Sequence, residues 1–452
     1  MPMFSIRTPS IQLGILKATL NSNSIPAIDF YLNLDFAEAI GTEFFEKSAN
    51  ACSLLLGDWL FAGQAFPDLI ENSYLKNAKD ELAAIFSNNE DGITDSHQKR
   101  LIHIKENIVP KWIEKKSTNS VWNDFDVVGF SCTFSQTISS LALAKSPKER
   151  LPNLKIVFGG ISMDGTMGEE VKHNSPYVDI VVQGEGEQSI LQVVQDLKNN
   201  ASTPIYKPRK FTKMDDIPLP DYTGYFKKIE TIPANVESVE LDVGAMPLET
   251  SRGCWWGQKN TCTFCGLNGE NAKYREKSPE KVLDEIDKLS RKHQRFDFLA
   301  VDNILSSKSY FTFLPQLAEI KSSFRFFFET RANLSYERMK LLSNAGIHAV
   351  QPGIESLNTN VLRLMKKGTN AIQNLDTLKW GIHFGIGVRW NILYGFPGEK
   401  EEWYEEMQVL ISKISHFQPP TGINHIRMDR FSPYFNDYFG ISRQAPKKGR
   451  DI

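Results

Sequence analysis

The stretch Ser251-Arg-Gly-Cys254-Trp-Trp-Gly-Gln-Lys-Asn-Thr-Cys262-Thr-Phe-Cys265-Gly brings three cysteines into one loop, spaced C-x7-C-x2-C. The chain has five cysteines in all, and the other two, Cys52 and Cys132, are remote in sequence. Such a group of thiols needs a chemical reason. Disulfides are a poor one, because three is an odd number and nothing in the sequence suggests export.

Metal binding explains the three cysteines better, and two kinds of metal site remain open. Structural zinc takes four protein ligands, and the nearest downstream histidine, His293, lies beyond a predicted helix. An iron–sulfur cluster also normally takes four cysteines, so three leave one iron of a four-iron cluster without a protein ligand. An open metal position is where a substrate or cosubstrate binds. The spacing alone does not decide between iron–sulfur and zinc.

Length and composition indicate a soluble protein of several domains. The 452 residues allow two or three domains, and 41% hydrophobic with 23% charged residues is ordinary globular composition. A net charge of −2 gives no general attraction for nucleic acid or an anionic membrane. No apolar run approaches the ~20 residues that span a bilayer, and the start has no signal-peptide pattern. With so few cysteines, we expect a cytoplasmic protein.

Residues 1–202 are predicted to form an N-terminal α/β domain. Helically spaced apolar residues after Pro9 and Ser10 predict a first helix, Ile28–Leu34 is predicted as a strand, and Phe36–Ala51 as a helix. Three apolar runs then alternate with predicted helices, which indicates a parallel sheet buried on both faces. The strand that usually precedes the first helix of such a domain is not seen. The runs are Asp126–Cys132, Lys155–Gly160 and Val178–Glu187.

Small or polar residues follow each of these three runs. In open parallel sheets, ligands bind beyond the carboxyl ends of the strands, and small residues there let a large flat ligand approach the backbone. The alternative is that the glycines only form tight turns, but their repetition at three strand ends favours a ligand crevice. The residues are Ser131, Thr133, Gly159, Gly160, Gly184, Glu185, Gly186 and Glu187.

Beyond a proline-rich linker at residues 203–246, strands and helices alternate over residues 247–435. With the strand that leads into Cys254, six strand–helix repeats are predicted, and about 190 residues are too few for a complete eight-fold barrel. The pattern therefore predicts a partial (βα)6 barrel with its site at the carboxyl ends of the strands, followed by a disordered tail at residues 436–452. The later strands are predicted at Phe296–Val301, Phe324–Glu329, His348–Pro352, Val388–Leu393 and Ile423–Met428.

Polar residues follow five consecutive strands of this predicted barrel. A single Arg or Asp at such a position is usually part of a surface ion pair, but five loaded strand ends favour a functional site. The residues include Asp302 and Asn303, Glu329 and Arg331, Glu355, the segment Tyr394–Glu399, and Asp429 with Arg430.

Taken together, these features resemble the radical S-adenosylmethionine (SAM) superfamily, in which a cysteine loop follows the first strand of a partial barrel. The preceding domain, with Gly184-Glu-Gly-Glu187, resembles the doubly wound, Rossmann-like cobalamin-binding domain of its cobalamin-dependent class. More narrowly, the sequence is similar to RiPP maturation radical SAM protein 1, a family that matures ribosomally made peptides and whose own form of the cysteine loop has the seven-residue gap, where three is commoner in the superfamily. The matching strings begin at Pro9, Arg252, Cys262, Asp302, Gln351, Trp390 and Asp429.

The resemblance implies cofactors and site residues. Cys254, Cys262 and Cys265 would hold a [4Fe–4S] cluster whose open iron is chelated by the amino and carboxylate groups of SAM. The strand ends named above would bind cobalamin. For SAM, the implied contacts are Phe264 near the adenine, Asp302 and Asn303 at the methionine amino group, Glu329, Arg331 and Glu355 at the ribose and carboxylate, and Tyr394, Gly395, Phe396 and Pro397 behind the adenine.

The implied reaction is radical chemistry on a peptide. Cleavage of SAM gives a 5′-deoxyadenosyl radical that removes hydrogen from unactivated carbon, and bound cobalamin would deliver a methyl group. No Asp-x-His-x-x-Gly motif is present; the nearest string, at Asp95 and His97, ends in Arg100, so cobalamin would bind without a histidine beneath the cobalt. The implied partners are a ribosomally synthesised precursor peptide and an electron donor such as flavodoxin or ferredoxin, with neither nucleic acid nor membrane. The alternative is a truncated, degenerate relative that acts as a metal-stabilised binding module without turnover.

Overall fold

The computed structural model describes residues 2–68, 73–86, 95–209, 211, 213–232, 244–267 and 273–438. The chain divides into two compact units, the first of residues 1–212 and 216–244 and the second of residues 213–215 and 245–452. Most of the predicted linker therefore belongs to the first unit. Most of the predicted tail, from residue 439 onward, lies outside the described residues.

A four-stranded parallel sheet is the centre of the first unit, as predicted. The strands pair in sequence order, and the register sets Ser131 beside Gly159. The carboxyl ends of the strands therefore lie along one edge of the sheet. The fourth strand falls within the predicted linker. The strands are β1 (Val127–Ser131), β2 (Lys155–Gly159), β3 (Ile180–Val182) and β4 (Ile205–Tyr206).

The first unit's helices match the predicted pattern at the chain start, where the Ser10 hydroxyl accepts the Leu13 N–H and caps the first helix. The predicted strand at Ile28–Leu34 is wrong, because a helix begins at Leu32 and buries Leu34 and Phe36 completely in the core. The helices are α1 (Ile11–Ser22), α2 (Leu32–Ile40), α3 (Thr42–Asn50), α4 (Leu56–Ala65), α5 (Tyr74–Asn77), α6 (Lys79–Phe86), α7 (Asp95–His103), α8 (Val109–Ser117), α9 (Thr137–Arg150), α10 (Thr166–Asn174), α11 (Gly186–Lys198) and α12 (Thr223–Glu230).

The second unit is the predicted partial barrel. Five parallel strands pair in the order β11-β10-β9-β8-β5, and β12 pairs in parallel with β13. Strands β11 and β12 are separated only by Arg389 and Trp390, so six parallel segments follow one another. A short antiparallel pair, β6 with β7, lies beside them. The strands are β5 (Met246–Leu248), β6 (Ser251–Arg252), β7 (Arg275–Glu276), β8 (Asp297–Ala300), β9 (Arg325–Thr330), β10 (Ile347–Pro352), β11 (Gly387–Val388), β12 (Asn391–Tyr394) and β13 (Gly422–His425).

Helices alternate with the barrel strands, as predicted. The Ser278 hydroxyl accepts the Lys281 N–H and caps the first of them, with Pro279 in its first turn. On β9, Phe326 and Phe328 are fully buried, which places Phe327 and Glu329 on the opposite face of the strand. Among the described residues, no helix combines the length and apolar character needed to cross a membrane. The helices are α13 (Pro279–His293), α14 (Phe313–Glu319), α15 (Tyr336–Asn344), α16 (Thr359–Leu364), α17 (Ala371–His383), α18 (Glu401–Lys413) and α19 (Pro433–Tyr438).

Candidate active site

The cysteine loop leaves β6 at the carboxyl side of the barrel strands. The Gln258 N–H donates to the Cys254 carbonyl at 2.9 Å, and the Gly257 N–H donates to the Cys254 Sγ at 3.2 Å. The Cys265 N–H donates to the Cys262 carbonyl at 3.2 Å. A hydrogen-bonded turn therefore begins at Cys254, and another connects Cys262 to Cys265.

Carbonyl groups from other parts of the second unit hold the loop in place. Thr263 donates its N–H to the Met365 carbonyl at 3.1 Å and its hydroxyl to the Leu364 carbonyl at 3.3 Å. The Trp255 indole N–H donates to the Leu305 carbonyl at 3.1 Å. Because these carbonyls lie at the end of α16 and after β8, the barrel itself positions the cysteines.

The three thiols share one electrostatic environment. Burial raises the pKa of the Cys262 thiol, against which the positive charges of Lys367 and Arg331 act. Burial likewise raises the pKa of Cys265, against a hydrogen bond from the Leu267 N–H and the charge of Lys367. Cys254 lies within electrostatic range of both other thiols. The three residues that the sequence singled out therefore lie within electrostatic range of one another, and two cations act on them.

Lys367 lies at the centre of this group, although the sequence analysis did not select it. Its ammonium pairs with Glu355 at 3.2 Å and lies 5.7 Å from the Phe264 ring centroid. Burial lowers the pKa of Lys367, but the charges of Glu355 and Cys262 outweigh it and raise the pKa above its ordinary value. A Cβ on Gly353 would overlap with the Lys367 ammonium, so the glycine leaves room for the cation.

Glu355 has an unusual backbone conformation for a residue that is not glycine, with φ of 56°. The turn is fixed from the side by Asn374, a fully buried residue that donates to the carbonyls of Ile354 at 3.0 Å and Ser356 at 2.7 Å. Non-glycine residues held in this region cost free energy and concentrate at functional sites. The neighbouring contacts therefore fix where the Glu355 carboxylate points.

Asp302 is buried and faces the strand that leads into the cysteine loop. Its carboxylate accepts the N–H of Thr250 at 2.8 Å and that of Ser251 at 2.9 Å, as well as the Thr250 hydroxyl. Burial raises the pKa of Asp302 to about 6. These contacts occupy both carboxylate oxygens within the protein, so the predicted contact with the SAM amino group stays a prediction, as does that of the half-buried Asn303.

Glu329 ends β9 on the face opposite the buried phenylalanines. Burial, followed by the charges of Glu355 and Asp302, raises the pKa of Glu329 to about 7. Lys367 opposes this increase. A carboxyl pKa raised by burial and by neighbouring carboxylates is a frequent property of functional sites.

The predicted adenine-binding segment lies against the cysteine loop. The rings of Phe264 and Phe396 pack edge to face, with centroids 6.0 Å apart. The Glu399 carboxylate accepts the N–H groups of Gly395 and Phe396, both at 2.8 Å, and fixes the turn. Tyr394 is exposed and Pro397 half-buried beside them. The sequence analysis did not select His425, whose ring centroid lies 5.3 Å from that of Tyr394. Its position at the end of the last barrel strand could have marked it as a candidate site residue.

In the first unit, the predicted cobalamin-binding residues lie along one edge of the sheet. Ser131 and Gly159 are the last residues of β1 and β2, and Glu185 precedes the first residue of α11 in the connection that follows β3. Thr133 forms a capping box with Gln136 at the start of the helix after β1. Of the remaining residues of the set, Gly160 and Gly184 follow β2 and β3, and Gly186 and Glu187 begin α11.

Two features of this edge bear on what it could bind. Gly160 has φ of 96°, and a Cβ there would overlap with the Cys132 backbone. The fold therefore requires glycine at this position whether or not a ligand binds. The loops after β1 and β2, in contrast, expose large apolar side chains, Phe134 at 68% and Ile161 at 42%. Exposed apolar groups beyond the carboxyl ends of parallel strands suit a large ligand with apolar surface. Cys132 itself is fully buried, and burial raises its pKa to about 11.

The residues around the cysteine loop fit a [4Fe–4S] cluster. Three cysteine thiolates leave one iron open, and nearby cations offset the cost of burying their negative charge. N–H groups of Gly257 and Leu267 point at the sulfurs of Cys254 and Cys265, contacts of the kind that tune such clusters. The Trp256 indole nitrogen is buried with no hydrogen-bond partner among the described residues, so it offers a donor to a sulfur acceptor. Over the same part of the chain, no three His, Cys, Asp or Glu side chains converge on a single-ion site.

Comparison with known proteins identifies the second unit. Residues 248–411 match the Radical SAM superfamily. This segment is a radical SAM domain, and such a domain implies a [4Fe–4S] cluster and SAM. An uncharacterized methyltransferase of Pyrococcus horikoshii is 27% identical over 304 residues, which cover 62% of this chain and 63% of that protein. The chain spans less than two thirds of the length of its first curated relatives.

Two solved structures share the fold of both units. The radical SAM methyltransferase TsrM from Kitasatospora setae, with cobalamin and a [4Fe–4S] cluster bound, aligns with a TM-score of 0.56 and 15% identity over 76% of this chain and 69% of that chain. The cobalamin-dependent radical enzyme OxsB, with aqua-cobalamin and SAM bound, aligns with a TM-score of 0.54 and 18% identity over 73% and 48%. The predicted fold class, an α/β domain followed by a radical SAM barrel, is confirmed.

Proposed function

We propose that this chain is a radical SAM enzyme that methylates a ribosomally made peptide with the help of cobalamin. The observation that carries the proposal is the meeting of Cys254, Cys262 and Cys265 with Arg331 and Lys367 at the carboxyl ends of the barrel strands. A cluster and SAM at this place would supply one-electron cleavage of SAM to a 5′-deoxyadenosyl radical.

The side chains around the cysteines suit SAM as a cosubstrate. SAM carries a sulfonium, an amino group and a carboxylate, so its site needs both signs of charge. Lys367 provides the positive charge, and Glu329 and Glu355 provide carboxylates. Phe264 and Phe396 provide an apolar wall for the adenine.

Methylation and cobalamin are supported by the relatives and by the first unit. Several proteins similar to this chain are named as methyltransferases or cobalamin-dependent radical enzymes. The sheet edge of the first unit, with Phe134 and Ile161 exposed, is where cobalamin would lie. The peptide substrate is supported by the resemblance of the sequence strings, and the electron donor by the need for a reduced cluster.

Anaerobic reconstitution with iron and sulfide tests the proposal. We expect about four irons per chain and formation of 5′-deoxyadenosine from SAM under a strong reductant. Cys262→Ala should lose the iron and the cleavage, whereas Cys132→Ala is the matched control and should keep both, because Cys132 is buried in the first unit. One zinc per chain without cleavage would instead identify a binding module without turnover.

The substrate class needs a second experiment. A short open reading frame beside this gene would supply a candidate precursor peptide. Incubation with that peptide, hydroxocobalamin and isotope-labelled SAM should transfer one labelled methyl group to a carbon of the peptide. Cleavage of SAM without methylation of the peptide would separate the enzyme class, which would stand, from the proposed substrate, which would not.

A further inference from the structure

Arg331 contacts the cysteine loop itself. We propose that Arg331 is a positioning residue that clamps the segment between Cys254 and Cys262 by stacking on Trp256, and that its positive charge acts on the cluster-binding loop from that position. The proposal deepens the proposed function, since the cluster is what the clamp serves, and it differs from the role in SAM binding that the family resemblance implied for this residue.

The stacking contact is close. The guanidinium carbon of Arg331 lies 3.7 Å from the centroid of the Trp256 ring and 5.7 Å from that of Trp255. A planar guanidinium at van der Waals distance over an indole combines dispersion with attraction to the ring quadrupole. The side chain therefore presses directly on the residues that separate the first cysteine from the other two.

The Arg331 guanidinium also donates hydrogen bonds to the backbone. Arg331 Nη2 donates to the Lys367 carbonyl at 3.0 Å and to the Gly368 carbonyl at 3.2 Å. The same stretch of chain accepts the hydrogen bonds of Thr263 at the carbonyls of Leu364 and Met365. Residues 364–368 thus hold both halves of the cysteine loop, the second half directly and the first half through Arg331.

Gly368 also packs against Trp256. Gly368 has φ of 65°, and a Cβ at this position would overlap with the six-membered ring of Trp256. The indole therefore lies in a slot lined by a guanidinium and by a backbone that carries no side chain. The close packing explains why a tryptophan, an arginine and a glycine occur together here.

The positive charge of Arg331 has an effect in addition to the stacking on Trp256. The guanidinium stacks on Trp256, which follows Cys254 closely in the cysteine loop, so its positive charge lies against the loop that would hold the cluster. A positive charge there favours the reduced, more negative state of the cluster. Loss of the charge should therefore lower the cluster's reduction potential.

Variants at Arg331 separate the clamp from the charge. Arg331→Gln removes both, and we expect iron retention against a chelator to fall about tenfold or more, with a more negative midpoint potential. Arg331→Lys keeps the charge but cannot stack flat while bonding two carbonyls. It should recover the midpoint potential and not the iron retention.

A matched control exists in the same unit. The Arg338 guanidinium carbon lies 4.9 Å from the Tyr310 ring centroid, on α15. Arg338→Gln should leave iron retention and midpoint potential as in the unaltered protein. An equal loss in this control would overturn the proposal. So would an Arg331→Gln variant that binds SAM weakly but keeps its iron and potential, since that result would make Arg331 a SAM ligand.

The stacking can be tested without any cluster. In the apo protein, Arg331→Gln and Trp256→Leu should each lower the melting temperature, and the double variant should lower it by less than the sum. Additive effects would overturn the clamp. If the unaltered protein forms no cluster, the proposed function and the charge role fail together, while this cycle still decides whether Arg331 and Trp256 are coupled.

Discussion

Single side chains in the second unit do two kinds of work around the cysteine loop. Lys367 and Glu355 form a half-buried pair beside the cysteines, where both charges remain available to a charged cosubstrate. The Asp302 carboxylate, in contrast, accepts hydrogen bonds from the backbone N–H groups of Thr250 and Ser251. The Glu355 carboxylate is therefore available to a ligand, whereas the Asp302 carboxylate stabilises the fold.

Asp302→Asn should destabilise the apo protein by about 1–3 kcal/mol. The substitution removes a charged acceptor of three hydrogen bonds and turns an amide N–H toward donors of Thr250 or Ser251. Urea unfolding measures the change. Asp297→Asn is the control, because its ion pair with Arg325 is largely exposed at 3.5 Å, and a change within about 0.5 kcal/mol is expected. Equal effects would show that Asp302 does not hold the strand.

Glu329 should make stability depend on pH. Its pKa is raised from 4.5 to about 7 in the folded chain, so the folded state binds more protons than the unfolded state in that window. Stability should therefore fall as pH rises from about 4.5 to 7, by up to roughly 3 kcal/mol at 1.4 kcal/mol per pKa unit, and change little above it.

Chemical denaturation across pH, compared between the unaltered protein and Glu329→Gln, isolates this contribution. The variant should show a smaller decline between pH 4.5 and 7, and what remains should lie mainly below pH 6, where Asp302 with its raised pKa contributes a decline of the same sign. Glu319→Gln, on an exposed position of α14, is the control and should keep it. A decline of equal size in Glu329→Gln would assign the effect to other carboxyls.

The connection from the end of β10 to the start of α17, which includes the short helix α16, is the part of the barrel that assembles the site. It carries Glu355 and Lys367, and it provides the carbonyls that anchor Thr263 and Arg331. Asn374, on α17, fixes its first turn. One loop of the barrel therefore sets the position of both cations and both halves of the cysteine loop.

Gly368→Ala should weaken cluster binding more than it weakens the fold. The added Cβ overlaps with Trp256 and also sits at φ of 65°, which costs about 1 kcal/mol or more by itself. Gly385→Ala is the matched control, since Gly385 has φ of 67° and nothing within 4 Å of the added Cβ. Both variants should lower the melting temperature, and only Gly368→Ala should lose iron on chelator challenge. Similar iron contents in the two would argue against the slot around Trp256.

At the scale of the whole molecule, the two units carry separate candidate sites. The cysteines and their cations all belong to the second unit, and the predicted cobalamin edge belongs wholly to the first. Each unit has its own parallel sheet, and both candidate sites follow the carboxyl ends of strands. The division predicts that one cofactor can be lost without the other.

Cys262→Ala should therefore keep its cobalamin while losing its iron. Hydroxocobalamin retained through gel filtration, at about one per chain, measures the first, and iron analysis the second. Introducing a charge at the exposed apolar edge, as Phe134→Asp, should do the reverse. Loss of both cofactors in either variant would show that the two sites depend on each other.

Local sequence patterns determined the backbone of this protein to a large extent. Apolar periodicity located the six parallel segments of the barrel and the helices between them, and the spacing of the cysteines located the candidate centre. The pattern failed at Ile28–Leu34, where apolar residues suited either a strand or a helix and burial of Leu34 and Phe36 in the core selected the helix.

Only the tertiary structure decided which side chains meet. Lys367 lies beside Cys262 although about a hundred residues separate them, and Arg331 stacks on Trp256 rather than facing open space. A repeating pattern reports the periodicity of the backbone, which is local. Contacts between distant residues depend on strand register and on how each loop turns back, as at Gly368, and neither is written in any short stretch of the chain.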